Sequence, residues 1–231
     1  LAHEIKNPLT PIQLAAERLQ MKLADKLPLD QAEVLARGAT TIVNQVAPMK
    51  RMVDDFRDYG RVPPARLVPL DLNALIEEVA ALYGVEKRNR SATAAAPAIE
   101  LALARDLPQI EGDATQLRQV IHNLLANATD ALAAREPAGA ENSGRIVVRT
   151  EAVAIDEPGA PTERARQAVR FAVEDNGAGF PANILRRAFE PYVTTKPSGT
   201  GLGLAMVRKI VDEHAARIEL INRSIATGGG G

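Results

Sequence analysis

His3-Glu4-Ile5-Lys6-Asn7-Pro8-Leu9 begins a helical pattern that bears on both the fold and the chemistry of this chain. At about 100° per residue, its apolar side chains fall on one stripe about 80° wide: Leu1, Ile5, Leu9, Ile12, Ala16, Leu19 and Leu23. His3 points to the opposite face, and Asn7 lies one turn further along that face. A histidine on the solvent-exposed face, beside a carboxylate and a carboxamide, indicates a role in chemistry. An exposed polar face carrying a lone histidine explains the pattern equally well.

A second helical pattern follows the turn Leu27-Pro28-Leu29-Asp30, in which Asp30 is a candidate N-cap. Its apolar positions alternate spacings of three and four: Ala32, Leu35, Ala39, Ile42, Val46, Met49, Val53 and Phe56. Two helices joined this tightly form an antiparallel hairpin, and one hairpin has too little core to stand alone. We therefore predict that residues 1–60 form a hairpin that dimerises into a four-helix bundle, with Pro8 and Pro48 kinking its helices.

The composition is that of an ordinary globular protein, with 46% hydrophobic and 25% charged residues among 231. A net charge of −1 predicts no binding of nucleic acid and no contact with an anionic membrane. The absence of cysteine excludes disulfides and thiol chemistry, and no apolar run is long enough to span a membrane. Because Leu1 lies inside an amphipathic pattern without a preceding cap, we expect this chain to be a soluble segment of a larger protein.

Gly60-Arg61-Val62-Pro63-Pro64 interrupts the helical pattern, and residues 61–69 are predicted to form a linker. Residues 70–231 then alternate helix and strand, which predicts an α/β sandwich with helices on one face of a sheet. The predicted helices are 73–83, 113–134 and 203–214, of which the second opens with a capping box, Asp113-Ala114-Thr115-Gln116. The predicted strands are 99–104, 145–155, 168–174 and 217–222.

Three segments of this second domain carry candidate ligands. Asn123 and Asn127 lie one helical turn apart, and neutral oxygen ligands suit Mg²⁺ where phosphates supply the negative charge. Asp175-Asn176-Gly177-Ala178-Gly179 follows a strand; its glycines permit a tight turn beside a flat ligand, and Asp175 can accept from an amine. Gly199–Gly203 leads into a helix whose N-terminus favours anions, with Lys196 just before it. Each segment alone is weak evidence, since surface amides and strand-end turns are common.

Together these motifs resemble those of sensor histidine kinases of two-component signalling, in family order and over nearly the whole chain. His3–Leu9 resembles the H-box, Asn123–Asn127 the N-box, Asp175–Gly179 the G1 box, Phe189–Tyr192 the F-box and Gly199–Gly203 the G2 box. The Thr-Pro after the H-box and the Asn-Ala-Thr-Asp-Ala run are most similar to the nitrogen-regulation, NtrY-like branch.

The resemblance implies a dimerisation and histidine-phosphotransfer hairpin followed by a Bergerat-type ATP-binding domain, with ATP and Mg²⁺ as cofactors. It implies that His3 accepts the phosphoryl group, that Glu4 is the adjacent base, and that Asn7 orients water when the partner is dephosphorylated. Asn127 is then the Mg²⁺ ligand, and Asp175 contacts the adenine amine. The other implied nucleotide-site residues are Asn123, Gly177, Gly179, Lys196, Gly199, Thr200, Gly201, Leu202 and Gly203.

The same resemblance implies an aspartate of a response regulator receiver domain as the phosphoryl acceptor, and a homodimer formed through the hairpin. It also implies a cytoplasmic segment of a membrane-anchored sensor kinase. One departure from the family is His214-Ala215-Ala216, where His-Gly-Gly is usual. If that turn needs a positive φ, alanine costs about 1 kcal/mol there.

Two other functions fit the sequence less well. Chaperone, mismatch-repair and topoisomerase ATPases of the same superfamily resemble one another in using a glutamate four residues before the Mg²⁺ asparagine to activate water. Asn123 occupies that position here and cannot act as a base. A non-enzymatic dimerisation scaffold would have no need for Asn127, Asp175 and the glycine segments.

Overall fold

The computed structural model describes residues 2–84, 98–133, 144–155, 166–196 and 199–223, and the side chains of residues 1–6 lie outside this description. By internal contacts the chain divides into two compact units. The first comprises residues 1–63 together with 187–205, and the second comprises residues 64–186 together with 206–231.

The first unit contains the predicted helical hairpin. Helix α1 spans Ala2–Leu23, a single 3₁₀ turn spans Ala24–Lys26, and helix α2 spans Leu29–Gly60. The two helices bury small and branched side chains against each other: Leu9, Ala16, Ala39 and Val46. The amine of Lys50 donates to Oε1 of Gln13 across the hairpin at 2.8 Å. Both helices continue past their internal prolines.

The prediction that Asp30 caps α2 is wrong. Pro28 is the N-cap, with φ −53° and ψ 148°, and its carbonyl accepts the first helical hydrogen bond from Ala32 N–H at 2.8 Å. Because proline fixes its own φ, the helix starts directly after it, and Asp30 lies inside the first turn. There the Asp30 carboxylate faces the positive end of the helix dipole.

Three of the eight predicted apolar positions of α2 remain exposed in the hairpin. Ala39 and Val46 are buried, whereas Ile42, Met49 and Phe56, seven residues apart in turn, are 42%, 53% and 47% exposed. Helix α1 repeats this arrangement with Ile12 and Leu19, which are also exposed. Each helix therefore presents a second apolar stripe that the other helix does not cover.

The second unit is an α/β sandwich, as predicted. Its strands are β1 (Val68–Leu70), β2 (Ala98–Ala102), β3 (Ile110–Gly112), β4 (Arg145–Ile155) and β5 (Arg166–Asp175). Its helices are α3 (Leu72–Leu82), α4 (Ala114–Ala133) and α5 (Ala182–Leu185), and α6 (Gly203–Glu213) runs from the first unit into the second. The main sheet has the order β2-β4-β5, parallel between β2 and β4 and antiparallel between β4 and β5.

Helices α3 and α4 cover one face of this sheet. The core between them is apolar: Leu72, Leu75, Ile76, Val79, Ile121, Leu125, Ala128, Ile146 and Val148. The opposite face carries ion pairs between neighbouring strands, such as Arg170 with Glu151 at 2.9 Å and Arg149 with Glu174 at 3.5 Å. The period of two along each strand separates these faces.

The strand predicted at Arg217–Asn222 is absent, because these residues form no ladder hydrogen bonds within the described part of the chain. Ile218 and Leu220 are half-buried, so the alternation that suggested a strand is present without a pairing partner. Strands β1 and β3 were not predicted. They are three residues each and pair only with each other, which leaves no periodicity long enough to detect.

Candidate functional site

The candidate phosphoacceptor lies in the first turn of α1. His3 and Glu4 belong to this turn, but their side chains lie outside the described part of the chain. Asn7, one turn further on, has an exposed side chain, while Leu9 is buried against the hairpin. The polar face predicted to carry His3 and Asn7 is thus turned away from the hairpin core at Asn7.

Helix α4, which carries the two candidate amides, begins at a firmly capped N-terminus. Oδ1 of Asp113 accepts from the backbone N–H of Thr115 at 2.9 Å and of Gln116 at 3.1 Å, as the capping-box sequence predicts. Oδ2 accepts from Arg66 N–H at 3.0 Å. The hydrogen bond from Arg66, followed by that from Gln116, lowers the pKa of the Asp113 carboxyl group.

His214 ties the end of α6 to this cap. The backbone N–H of Asp113 donates to Nε2 of His214 at 3.0 Å, and Nδ1 lies 2.8 Å from the carbonyl of Ile210. An imidazole that accepts at Nε2 and donates at Nδ1 is neutral. His214 therefore has a structural role, since it joins the end of α6 to the cap of α4.

Asn123 and Asn127 lie at the border between the buried and exposed faces of α4. Both side chains are partly exposed, whereas Ile121 and Leu125 are buried. One turn beyond Asn127, Ala131 meets the segment after β5: a Cβ placed on Gly177 would lie 2.8 Å from Cβ of Ala131. Along α4, Asn127 therefore lies about one helical turn, roughly 6 Å, and Asn123 about two turns from the residue that meets this segment.

We call residues 175–180 the Asp175 turn, and it is held at both ends. Asp175 is the last residue of β5 and is exposed, and its Oδ1 accepts from Gly177 N–H at 2.9 Å. Asn176 pairs with Arg145 of β4 twice, its N–H donating to the Arg145 carbonyl at 3.2 Å and its Oδ1 accepting from Arg145 N–H at 2.8 Å. Among the described residues, Oδ2 of Asp175 accepts no hydrogen bond, and it is available to a ligand amine.

Asn222 holds the other end of the Asp175 turn, and no sequence pattern pointed to it. Its Oδ1 accepts from Phe180 N–H at 2.9 Å, and its Nδ2 donates to the Phe180 carbonyl at 2.6 Å. Gly179 beside it has φ +70°, and a Cβ there would lie 3.0 Å from the Asn222 amide oxygen. The glycine is thus required for both its backbone conformation and its close approach to Asn222.

We call residues 199–203 the glycine loop, and it lies in the first unit. The N–H of Tyr192 donates to the Gly201 carbonyl at 3.0 Å, and both residues have positive φ, 67° and 68°. A Cβ on Gly201 would lie 2.5 Å from the carbonyl carbon of Tyr192. Gly199 N–H donates to the Lys196 carbonyl at 3.1 Å. The glycines therefore let two backbone segments lie closer together than any side chain would permit.

Thr200 and Leu202 anchor the glycine loop in the first unit. The hydroxyl of Thr200 donates to Oδ2 of Asp55, in α2, at 2.7 Å. Leu202 is 1% exposed, and its N–H donates to Oγ1 of Thr200 at 3.4 Å. Asp55 is the second residue that sequence reasoning missed, because 145 positions separate it from Thr200. The predicted residues thus form two groups, one in each compact unit.

The remaining histidine, His122, is engaged by a tyrosine. Tyr83 places its hydroxyl 2.8 Å from Nδ1 of His122 and 3.2 Å from its carbonyl oxygen. Burial, followed by the charge of Asp130, raises the pKa of the Tyr83 hydroxyl. Among the described residues, no three histidine or acidic side chains are placed to hold a metal ion. Likewise, none of the described helices is long and apolar enough to cross a membrane.

Two family models match the chain. The "His Kinase A (phospho-acceptor) domain" matches residues 1–64, and the "Histidine kinase-, DNA gyrase B-, and HSP90-like ATPase" matches residues 112–231. The glycine segments and both asparagines lie in the second match, and His3 lies in the first.

Curated relatives cover almost the whole chain. The nitrogen regulation protein NtrY of Azorhizobium caulinodans is 36% identical over 95% of this chain and 26% of its own length. A putative NtrY-like sensor histidine kinase of Rickettsia bellii is 33% identical over 99% of this chain and 33% of its own length. The sensory histidine kinase/phosphatase NtrB of Salmonella typhimurium is 34% identical over 95% of this chain and 56% of its own length.

Two solved structures are also similar to this chain. ShkA, crystallised at full length with AMPPNP, matches 92% of this chain and 40% of its own at a TM-score of 0.59 and 26% identity. The kinase ThkA, in complex with the response regulator protein TrrA, shares the fold over 96% of this chain and 56% of its own, at a TM-score of 0.59 and 24% identity. The chain spans only a quarter to about a half of the length of the curated relatives above. It belongs to the sensor histidine kinase family and is similar to NtrY and NtrY-like proteins.

Proposed function

We propose that this chain binds ATP, transfers its γ-phosphoryl group to His3, and then passes that group to an aspartate of a response regulator. The observation that carries the proposal is the presence in one chain of a matched phosphoacceptor helix and a matched ATPase unit. The ATPase unit presents two amides and an exposed carboxylate around one turn. We also propose the domain organisation predicted from the sequence, with a hairpin at 1–60, a linker at 61–69 and an ATP-binding domain at 70–231.

The Asp175 turn suits an adenine base. Asp175 is exposed at the end of β5, its Oδ2 accepts no hydrogen bond from the described residues, and the glycines that follow add no side chain beside it. An exocyclic amine can donate to that carboxylate, whereas the carbonyl at the same position of guanine cannot. The relative ShkA was crystallised with AMPPNP, an adenine nucleotide. We assign the glycine loop, with Lys196, to the phosphate groups.

Asn127 and Asn123 suit Mg²⁺ bound together with a nucleotide. Their amide oxygens are neutral and partly exposed, and the described residues offer no cluster of carboxylates that would hold the ion alone. A site of this kind depends on phosphate oxygens for its negative charge. The ion would neutralise charge on the transferred phosphoryl group. Asn127 is the proposed ligand, and Asn123 supports the phosphates or the ion.

His3 is the proposed nucleophile because neutral imidazole has a free lone pair near pH 7. Glu4, the next residue along α1, would fix the tautomer and take the ring proton as the new N–P bond forms. Asn7 lies one turn beyond, on the exposed face. We assign Asn7 to orienting water during dephosphorylation of the regulator, a second activity that the name of the Salmonella relative includes.

The uncovered apolar stripes of the hairpin support a homodimer. Ile42, Met49 and Phe56 repeat every seven residues and are about half exposed, as are Ile12 and Leu19 of α1. A second hairpin packed against them would complete a four-helix bundle. We propose a cytoplasmic location, because ATP is the donor.

The test is incubation of the protein with γ-labelled ATP and Mg²⁺. Label that is labile in acid, stable in base and absent from His3→Gln would identify a phosphohistidine at His3. His122→Gln is the matched control, because it removes a different imidazole, which among the described residues is bonded to Tyr83 alone. Label retained in His3→Gln would show that another residue accepts the phosphoryl group, and release of free phosphate unaffected by that change would favour a hydrolase.

A further inference from the structure

We infer that Asn222 is a positioning residue for adenine recognition, a role that rests on the proposed ATP site. Its carboxamide forms two hydrogen bonds to the backbone of one residue of the Asp175 turn, accepting from Phe180 N–H and donating to Phe180 C=O. An amide side chain is suited to this pairing because it offers one donor and one acceptor side by side.

The two hydrogen bonds of Asn222 act at the end of the turn that contains the positive-φ glycine. Gly179 has φ +70°, and it directly precedes Phe180, the residue to which Asn222 is hydrogen-bonded. The other end of the turn is already fixed, since Asn176 is bonded to Arg145 through both its backbone and its side chain. Without Asn222, the backbone of Phe180 would lose both of the side-chain hydrogen bonds that it forms.

The segment that carries Asn222 is itself anchored to the second unit. His214 bonds to Asp113, and Ile218 and Leu220 are half-buried, whereas Ile221 is exposed. Asn222 thus connects the turn to a segment placed by independent contacts. Asp175 has its Oδ1 bonded to Gly177 N–H, so the direction of its carboxylate depends on the shape of the same turn.

Removal of the two Asn222 hydrogen bonds should therefore change the preference for adenine over guanine more than it changes the stability of the fold. Asn222 is exposed, and its bonds compete with water, so their net contribution to folding is small. Discrimination between an amine and a carbonyl, in contrast, requires the Asp175 carboxylate within hydrogen-bonding distance and in the correct direction.

The experiment measures equilibrium binding of AMPPNP and GMPPNP with Mg²⁺ to the intact chain, together with its melting temperature and the amide exchange of Phe180. For Asn222→Ala we expect a preference for the adenine nucleotide that is about tenfold smaller than in the unchanged protein. We also expect faster exchange at Phe180 and a nearly unchanged melting temperature. Ile221→Ala, which truncates the exposed neighbour, should leave all three values as they were.

Equal weakening of both nucleotides together with a lower melting temperature would overturn the inference, because that result describes a purely structural residue. An unchanged preference in Asn222→Ala would overturn it as well. Failure of the proposed function would give a different result. In that case the protein with Asn222 in place would bind neither nucleotide or would show no preference for adenine.

Discussion

The Asp175 turn and the glycine loop both rely on glycines with positive φ, but they are held by different partners. The Asp175 turn is bonded to β4 through Asn176 and to the C-terminal segment through Asn222, all within the second unit. The glycine loop is bonded to Tyr192 and, through Thr200, to Asp55 of the hairpin helix α2. The first is therefore held within the second unit, whereas the second depends on a helix of the hairpin in the first unit.

The largest effect should come from Gly201→Ala in the glycine loop. The new Cβ would lie 2.5 Å from a backbone carbon of Tyr192, at φ +68°, and no side chain can move aside to relieve the contact. Overpacking and left-handed strain together cost about 3 kcal/mol, which corresponds to a loss of roughly 100-fold in labelling of His3. Incubation of both proteins with γ-labelled ATP measures this loss of labelling.

Gly38→Ala is the control for that change. Gly38 lies inside α2 with nothing within 4 Å of its added Cβ, so alanine should stabilise the helix by about 0.5–1 kcal/mol. Labelling within twofold of normal in Gly201→Ala would show that the backbones can separate, and the glycine loop would then not require close approach.

Gly177→Ala should have the next largest effect, and it can be reversed. Its Cβ would lie 2.8 Å from Cβ of Ala131, 2.8 Å from Oδ1 of Asp175 and 3.0 Å from the carbonyl carbon of Ala131, and its φ is not positive; Ala131→Gly relieves only the first of these contacts. We expect nucleotide affinity to fall about tenfold, and the double variant with Ala131→Gly to recover part of the loss after allowing for a weaker α4. Isothermal titration of the two single variants and the double variant gives the coupling. Strict additivity would show that the turn and α4 do not meet at this point.

Asp55→Ala tests whether α2 holds the glycine loop. A hydrogen bond to a charged acceptor contributes about 1.5–3 kcal/mol, so amide exchange at Leu202 should rise at least about tenfold. Since Thr200 has one hydroxyl proton, Asp55 and a phosphate oxygen compete for it. Affinity for AMPPNP should therefore increase.

Asp58→Ala is the matched control for Asp55, since Asp58 lies one turn further along α2 and pairs at 3.0 Å with Arg57 of the same helix. It should change neither exchange nor affinity. If Asp55→Ala instead weakened nucleotide binding, the Asp55–Thr200 bond would support the site, and the contrast between the two regions would disappear.

Local patterns allowed most of this architecture to be predicted from the sequence. The hairpin, helices α3, α4 and α6, and strands β2, β4 and β5 each have a long apolar period or a cap within a few residues, such as Asp113. The glycine segments were recognised because the spacing of their glycines is also a local pattern in the sequence. Short strands and single turns carry no such period, which explains the missed β1 and β3 and the wrong cap at Asp30.

The residues that the sequence did not reveal are those that act over long separations. Asn222 bonds to a residue 42 positions away, and Asp55 to one 145 positions away. Neither residue type is unusual in its local setting, since asparagine and aspartate are common on exposed surfaces. Only the tertiary structure places them against the two glycine segments.

The smallest effect should come from Ala215→Gly, at the end of α6. Ala215 has φ +50°; its N–H donates to the Asp212 carbonyl and the N–H of Ala216 to that of Val211, both at 3.0 Å. This is a Schellman ending, in which glycine is favoured at the position of Ala215. The expectation that alanine is strained here is thus supported, and Ala215→Gly should raise the free energy of unfolding by about 0.5–1 kcal/mol.

Ala216→Gly is its control, because Ala216 lacks the positive φ and should gain nothing or lose slightly. Chemical denaturation of the two variants compares them directly. Because His214 in this ending bonds to Asp113, relief of strain should also slow amide exchange at Asp113, which belongs to the same unit as the Asp175 turn. The glycine loop, held by α2, should show no such change. Equal slowing in both regions would mean that one framework holds them both.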